Sequence, residues 1–134
     1  MIVSFDFDGT LVDDFYGEHN SEKEKVQKIA KNLVNDGCEV WIVTKRFGPE
    51  YKNYGKKNEH LEVYELGESI GISKEKIYFT NRDWKMDSLN RIGVHIHFEN
   101  SLNEVSQIRN NTKTKCVHVE DPNWEQYLSE ILSN

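Results

Sequence analysis

The sequence predicts an α/β fold, a single Rossmann-like domain spanning residues 1–134 in which a five-stranded parallel sheet lies between two layers of helices. Three observations carry that prediction. Short apolar runs alternate five times with longer segments of helical periodicity, the pattern of repeated strand-helix crossovers. The runs Ile2 to Phe5 and Val40 to Val43 are apolar at successive positions, as strands buried on both faces are. A chain of 134 residues with 37% hydrophobic content can fill one core but not two. Right-handed crossovers follow from the parallel arrangement, and sites in such sheets sit at the carboxyl ends of the strands.

The first strand is expected over Ile2 to Asp6. A helix from about Glu22 to Asp36 follows, with Val26, Ile29, Ala30, Leu33 and Val34 on one face; Ser21 and Glu24 have capping-box spacing, and Gly37 can end the helix in the left-handed conformation. The second strand is Glu39 to Thr44, followed by a loop and a helix near Glu59 to Ile70. Lys76 to Thr80 is the third strand, Trp84 to Ile92 a short helix, and Val94 to Phe98 the fourth strand. Ser101 and Glu104 open the next helix with a second capping-box spacing. Lys115 to Val119 completes the sheet, and Asp121-Pro122 starts a last helix that buries Trp124, Tyr127, Leu128 and Ile131.

Composition removes several classes of function. A formal charge of -6 argues against a protein that coats nucleic acid along its whole surface. Cys38 and Cys116 lack metal or redox spacing and read as buried thiols. No apolar run approaches a membrane span, and the N-terminus lacks a basic stretch followed by an apolar one, so a cytoplasmic protein without membrane attachment is expected.

The predicted strand ends carry the chemistry. Asp6 and Asp8 stand in Phe5-Asp6-Phe7-Asp8-Gly9-Thr10, Thr44 ends the second strand, Lys85 follows the third, and Glu99-Asn100 follows the fourth. A carboxylate can attack phosphorus and hold the phosphoryl group as an acyl phosphate, and a second carboxylate two residues on can shuttle the proton. Two carboxylates facing a phosphate dianion call for a divalent cation, and oxygen donors point to magnesium.

This order of motifs resembles the haloacid dehalogenase superfamily of phosphohydrolases over roughly residues 1 to 105, and its second and third motifs look like those of nucleotidase and polynucleotide 3'-phosphatase members. The resemblance implies a sheet of order 5-4-1-2-3 and a magnesium-dependent phosphomonoesterase working through an aspartyl-phosphate. Asp6 would be the nucleophile and Asp8 the acid/base, with Thr44 on a phosphoryl oxygen and Lys85 neutralising charge. Asp6, the Asp8 carbonyl and the Glu99-Asn100 segment would hold Mg2+. Gly9, Thr10, Lys45 and Arg46 are the candidate substrate-binding residues.

Only 12 residues separate Asp8 from Ser21, and few separate Thr80 from Trp84, so neither place where relatives insert a cap domain has room for one. A capless, open site suits a nucleotide, a nucleic-acid end or another phosphomonoester. The stretch from Lys45 to Lys57 joins Lys45, Arg46, Lys52, Lys56 and Lys57 to Phe47, Tyr51 and Tyr54, the composition of a nucleotide-binding loop or of a solvated connector. Glu104 reads as the capping partner of Ser101 in preference to a second acidic member of the fourth motif, and the five histidines read as structural. An EF-hand is excluded because its fifth and twelfth positions would be Thr10 and Gly17. The competing expectation is a catalytically weak or inactive binding module, motivated by Glu99-Asn100 where relatives usually carry two aspartates.

Overall fold

The computed structural model describes residues 1–51 and 58–133. Its strands are β1 (Ile2–Phe5), β2 (Glu39–Thr44), β3 (Ile77–Phe79), β4 (Ile96–Glu99) and β5 (Lys115–His118). The helices are α1 (Lys23–Asn35), α2 (His60–Ile70), α3 (Met86–Ile92), α4 (Leu102–Asn111) and α5 (Trp124–Leu132), with a 3-10 turn at Lys74–Lys76. All strand pairs are parallel, in the order β3-β2-β1-β4-β5, which is 5-4-1-2-3 read from the other edge. No helix among the described residues is long and apolar enough to cross a membrane.

Alternation along the strands divides the sheet into two unlike faces. Val3, Phe5, Val40, Ile42, Ile96, Phe98 and Val117 point to one side and meet Val26 and Ala30 of α1, Val63 and Ile70 of α2, and Trp124 of α5. Phe5 and Phe98 stack there with ring centroids 4.5 Å apart. On the other side Val43 and Cys116 pack with Leu89 of α3 and with Val105 and Ile108 of α4. The middle of that second face is polar: Ser4 and His97 are fully buried and share a 2.6 Å hydrogen bond.

Several expected boundaries move, each for a tertiary reason. β4 begins at Ile96, not Val94, because its pairing with β1 runs from Val3↔Ile96 to Phe5↔Phe98; Glu99 consequently lies inside the strand. The expected Ser21–Glu24 capping box does not form, and α1 starts after Glu22 without a side-chain cap. The Asn20 carboxamide accepts the Glu22 N–H at 3.0 Å, and the Glu22 carboxylate accepts the Trp124 indole N–H at 3.0 Å. Asp121 and Pro122 belong to a turn before α5, with Asp121 accepting the Asn123 N–H at 2.9 Å. Trp84 lies outside α3, whose N-cap is Lys85.

Gly37 ends α1 as expected, with φ +86°, and the Cys38 N–H reaches back to the Leu33 carbonyl at 3.0 Å. Inside α2, Gly67 serves packing. A Cβ there would lie 2.8 Å from Ile77 Cδ1 and 3.1 Å from the Ile72 carbonyl oxygen. Gly67→Ala should therefore lower the melting temperature by several degrees, although alanine gains about 1 kcal/mol in helix propensity. A thermal melt that rises instead would show that Ile77 and the Ile72 turn give way freely.

Candidate active site

β1, β2 and β4 end side by side, and the turns that leave them converge on one cleft of about 380 Å³. Asp6, Asp8, Thr44, Lys45, Arg46, Lys85, Glu99 and Asn100 all line it. Of the ten candidate site residues, Gly9 and Thr10 do not. Thr10 is buried beneath, donating to Asp6 Oδ2 at 3.2 Å, and Gly9 lies against Asn100. A larger cavity, about 930 Å³, opens at the opposite end of the strands around Met1, Val94, His95 and Thr114, and among the described residues no carboxylate lines it.

Lys85 is the centre of the cleft. Its ammonium is buried and donates to Asp6 Oδ1 at 2.7 Å and to Glu99 Oε1 at 2.6 Å. Burial opposes its charge, yet the Asp6 and Glu99 carboxylates more than offset this and raise its pKa. One ammonium does not neutralise two carboxylates. Burial, and then the charge of Glu99, push Asp6 up to about 7 against the pull of Lys85.

Glu99 is held from below as well. His97 Nε2 lies 2.9 Å from Oε1, and the Ser101 N–H donates to Oε2 at 3.2 Å. Burial and the nearby Lys85 charge lower the His97 pKa to about 3, so the ring is neutral. A neutral imidazole facing a carboxylate through Nε2 carries its proton there and accepts the Ser4 hydroxyl through Nδ1. The structural role expected of His97 is thus to fix Glu99, with Ser4 fixing His97.

Asp8 is gripped by Arg46, whose Nε and Nη2 donate to its two oxygens at 2.9 and 2.8 Å. Burial raises the Asp8 pKa, and the Arg46 hydrogen bonds and charge oppose the rise. Arg46 is itself buried, its Nη1 donating to the Glu59 carbonyl at 2.6 Å. Its guanidinium carbon lies 4.9 Å from the Phe7 ring centre and 5.2 Å from that of Phe15. Thr44 Oγ1 accepts the Arg46 N–H at 3.2 Å, which leaves its hydroxyl hydrogen available to a ligand.

Ser101 caps α4 as expected, accepting the Glu104 N–H at 3.4 Å, but the Glu104 side chain does not return the bond. It is buried and turned into the cleft, where Oε1 accepts the Lys85 N–H at 3.2 Å and Oε2 lies 2.9 Å from Lys45 Nζ. The Lys45 ammonium also sits 4.6 Å from the centre of the Trp84 ring, which is 43% exposed. The expected basic loop lies only partly within the described residues: Lys52, Tyr54, Lys56 and Lys57 fall outside them. Sequence reasoning missed Phe15, Tyr16 and Arg82, which also line the cleft. The five-residue step from Glu99 to Glu104 was a visible signal for Glu104; nothing local marked the other three.

The donor chemistry fits a hard divalent cation. Asp6 is a carboxylate short of positive charge, and the neutral amide of Asn100 lines the same cleft. Asn100 is packed so closely over Gly9 that a Cβ there would collide with its Nδ2. Both Glu99 oxygens, in contrast, are engaged by protein donors. Among the described residues no three His, Cys, Asp or Glu side chains gather into a metal-holding group. No family model matches the chain, and no curated protein matches it.

Asp6 also makes stability depend on pH. A carboxyl raised from its ordinary value to about 7 costs the fold stability as pH climbs between those values, because only the unfolded chain ionises freely there. Asp6→Asn should therefore raise the melting temperature of the metal-free protein by a few degrees more at pH 8 than at pH 5. Equal shifts at both would place the ionisation of Asp6 outside that window.

Proposed function

We propose that this protein is a magnesium-dependent phosphomonoesterase of the haloacid dehalogenase type, acting on a nucleotide or nucleic-acid-end phosphate through an aspartyl-phosphate. The observation that carries the reading is the Lys85 ammonium bonded to Asp6 at the end of β1, with Asp8, Thr44 and Glu99 around it. The resemblance of the motif order, and the strand order of the sheet, support it. The parallel sheet alone does not separate a phosphatase from other Rossmann-like proteins.

In the proposed reaction an Asp6 oxygen attacks phosphorus, the Asp6 O–P bond forms and the ester P–O bond breaks. Asp8 passes its proton to the leaving oxygen. Water then attacks the same phosphorus, Asp8 takes up the water proton, and phosphate leaves Asp6 as a free carboxylate. The two Arg46 hydrogen bonds use one lone pair on each Asp8 oxygen, so a proton can still reside on the carboxyl group. Lys85 holds Asp6 in place and counters charge at its oxygen, and the Thr44 hydroxyl donates to a phosphoryl oxygen.

Asp6, the Asp8 carbonyl and Asn100 are the donors that would hold Mg2+, and Glu99 could join through the remaining lone pair of Oε2, its other acceptor sites being taken by Lys85, His97 and Ser101. The cation supplies the positive charge that lets a phosphate dianion approach paired carboxylates. The cleft needs it, since Asp6, Asp8, Asp14, Glu99 and Glu104 outnumber Lys45, Arg46, Arg82 and Lys85.

An aryl phosphate assayed with millimolar magnesium tests the reading. Wild type should turn over, and Asp6→Asn should lose more than roughly a thousandfold because an amide forms no acyl phosphate. An Asp6→Asn protein of wild-type activity would refute the nucleophile, and a wild type that neither binds magnesium nor turns over would favour the binding module. In a calorimetric titration Asn100→Asp should bind magnesium about tenfold tighter than wild type, by adding charge to a donor set poor in it. Unchanged affinity would remove Asn100 from the set.

A further inference from the structure

β3 leaves the sheet through Thr80-Asn81-Arg82-Asp83, where Asn81 (φ +56°) and Arg82 (φ +74°) are consecutive left-handed residues that are not glycine. Asn tolerates this region, but for Arg82 it is strained, and such a conformation persists only where neighbours over-determine it. Here they do. The Arg82 N–H donates to the Lys45 carbonyl at 2.8 Å, and Asn81 Oδ1 accepts the Gly48 N–H at 2.9 Å. The result is that Arg82, although it follows the edge strand, reaches into the cleft that holds Asp6 and Lys85.

Its guanidinium is framed on all but one side. The carbon lies 4.5 Å from the Phe47 ring centre and 5.4 Å from that of Phe15. Nη1 donates to the Lys45 carbonyl at 2.9 Å, and Nη1 and Nη2 face the buried Glu59 carboxylate at 3.1 and 3.2 Å. Even so, 41% of the side chain remains exposed. Phe7, Arg46, Phe15, Arg82 and Phe47 thus form one series of ring–guanidinium contacts leading outward from Asp8.

Beside it stands Tyr16, 93% exposed and edge-on to Phe15 at 5.6 Å. Its loop is braced. Asp14 Oδ1 accepts the Tyr16 and Glu18 N–H groups at 2.8 and 3.0 Å, and the Gly17 N–H returns to the Asp14 carbonyl at 2.9 Å. A large aromatic ring held almost wholly in solvent at the mouth of a cleft offers a stacking face.

We propose that Arg82, Phe15 and Tyr16 form a second subsite, which binds the phosphodiester and base of the nucleotide next to the reactive terminal phosphate. The substrate is then an oligonucleotide end, not a mononucleotide. The inference rests on the phosphomonoesterase reading and narrows it. Charge selects the diester: Glu59 already balances much of Arg82, and Asp14 lines the same cleft, so a monoanion suits the subsite better than a second dianion.

The test compares kcat/KM on p-nitrophenyl phosphate, a nucleoside monophosphate, 3'- and 5'-phosphorylated trinucleotides, the same trinucleotides with a neutral methylphosphonate at the terminal linkage, and a phosphopeptide. Wild type should favour one phosphorylated trinucleotide over the mononucleotide at least tenfold, mostly through KM, and lose that preference on the methylphosphonate. Arg82→Lys and Arg82→Gln should lose it on the natural linkage, with little further loss on the neutral one. Tyr16→Ala should weaken trinucleotides bearing a base and spare one that is abasic next to the terminal phosphate.

Equal turnover of the natural and methylphosphonate trinucleotides by wild type, or a preference for the phosphopeptide, overturns the subsite while leaving the phosphatase standing. If even p-nitrophenyl phosphate is untouched, the phosphatase reading fails separately. Anisotropy of a labelled trinucleotide then decides the subsite: binding that weakens in the Arg82 and Tyr16 variants supports it, and binding that is absent or indifferent to them refutes it. Melting curves identify any variant that has not folded.

Discussion

A single buried ammonium organises this protein. Lys85 lies at the N-cap of α3, where the chain re-enters the fold after β3, and its charge has no access to water that would solvate it. A buried charge is tolerable only when paired and when its partners are themselves fully bonded. That requirement propagates. Asp6 and Glu99 must end neighbouring strands, His97 must support Glu99, Ser4 must support His97, and Glu104 must reach across from α4 to hold the Lys85 N–H. The second face of the sheet carries a polar column through its middle for this reason, beside which α3 and α4 form one apolar cluster with Val43 and Cys116.

The same requirement leaves a deliberate imbalance. Asp6 is the carboxylate whose charge is least compensated, because Glu99 has the better share of bonding: Lys85, His97 and the Ser101 N–H all serve it, whereas Asp6 has Lys85 and the Thr10 hydroxyl. A carboxylate raised to about 7 in a cleft open to solvent is a group poised to gain from an incoming cation or an electrophile. Three other acids in or beside the cleft are paired with cations: Asp8 with Arg46, Glu104 with Lys45, Glu59 with Arg82. The Asp6 carboxylate thus carries charge that its partners offset only in part.

Much of this was legible in the sequence because it depends on local alternation. The strand runs, the helix faces, the left-handed Gly37 and the convergence of Asp6, Asp8, Thr44 and Lys85 follow from periodicity and from chain order in a parallel sheet. What was not legible depends on partners distant in sequence. Ser21 and Glu24 have the spacing of a capping box, yet Asn20 and Trp124 bind Glu22 and set where α1 begins. Glu104 has the spacing of a cap partner for Ser101, yet two lysines draw its side chain into the cleft. Arg82 has no local signature at all, since its position arises from strained backbone and from two rings, Phe15 and Phe47, contributed by separate segments.

Gly9 and Asn100 show how tightly the two halves of the cleft are coupled. Gly9 has a left-handed φ of +77°, which the turn after Asp8 requires, and its missing Cβ is also the space that the Asn100 amide occupies. Any side chain at Gly9 would therefore expel Asn100 from beside the Asp6-Asp8 turn as well as strain the backbone. The turn that carries the paired aspartates and the segment that follows β4 consequently cannot vary independently. Asn100 lines the cleft with a neutral amide pressed against glycine, and Glu99, one residue earlier, spends its charge inward on Lys85. The Glu99 charge is thus committed to holding the ammonium on which the fold of the site depends.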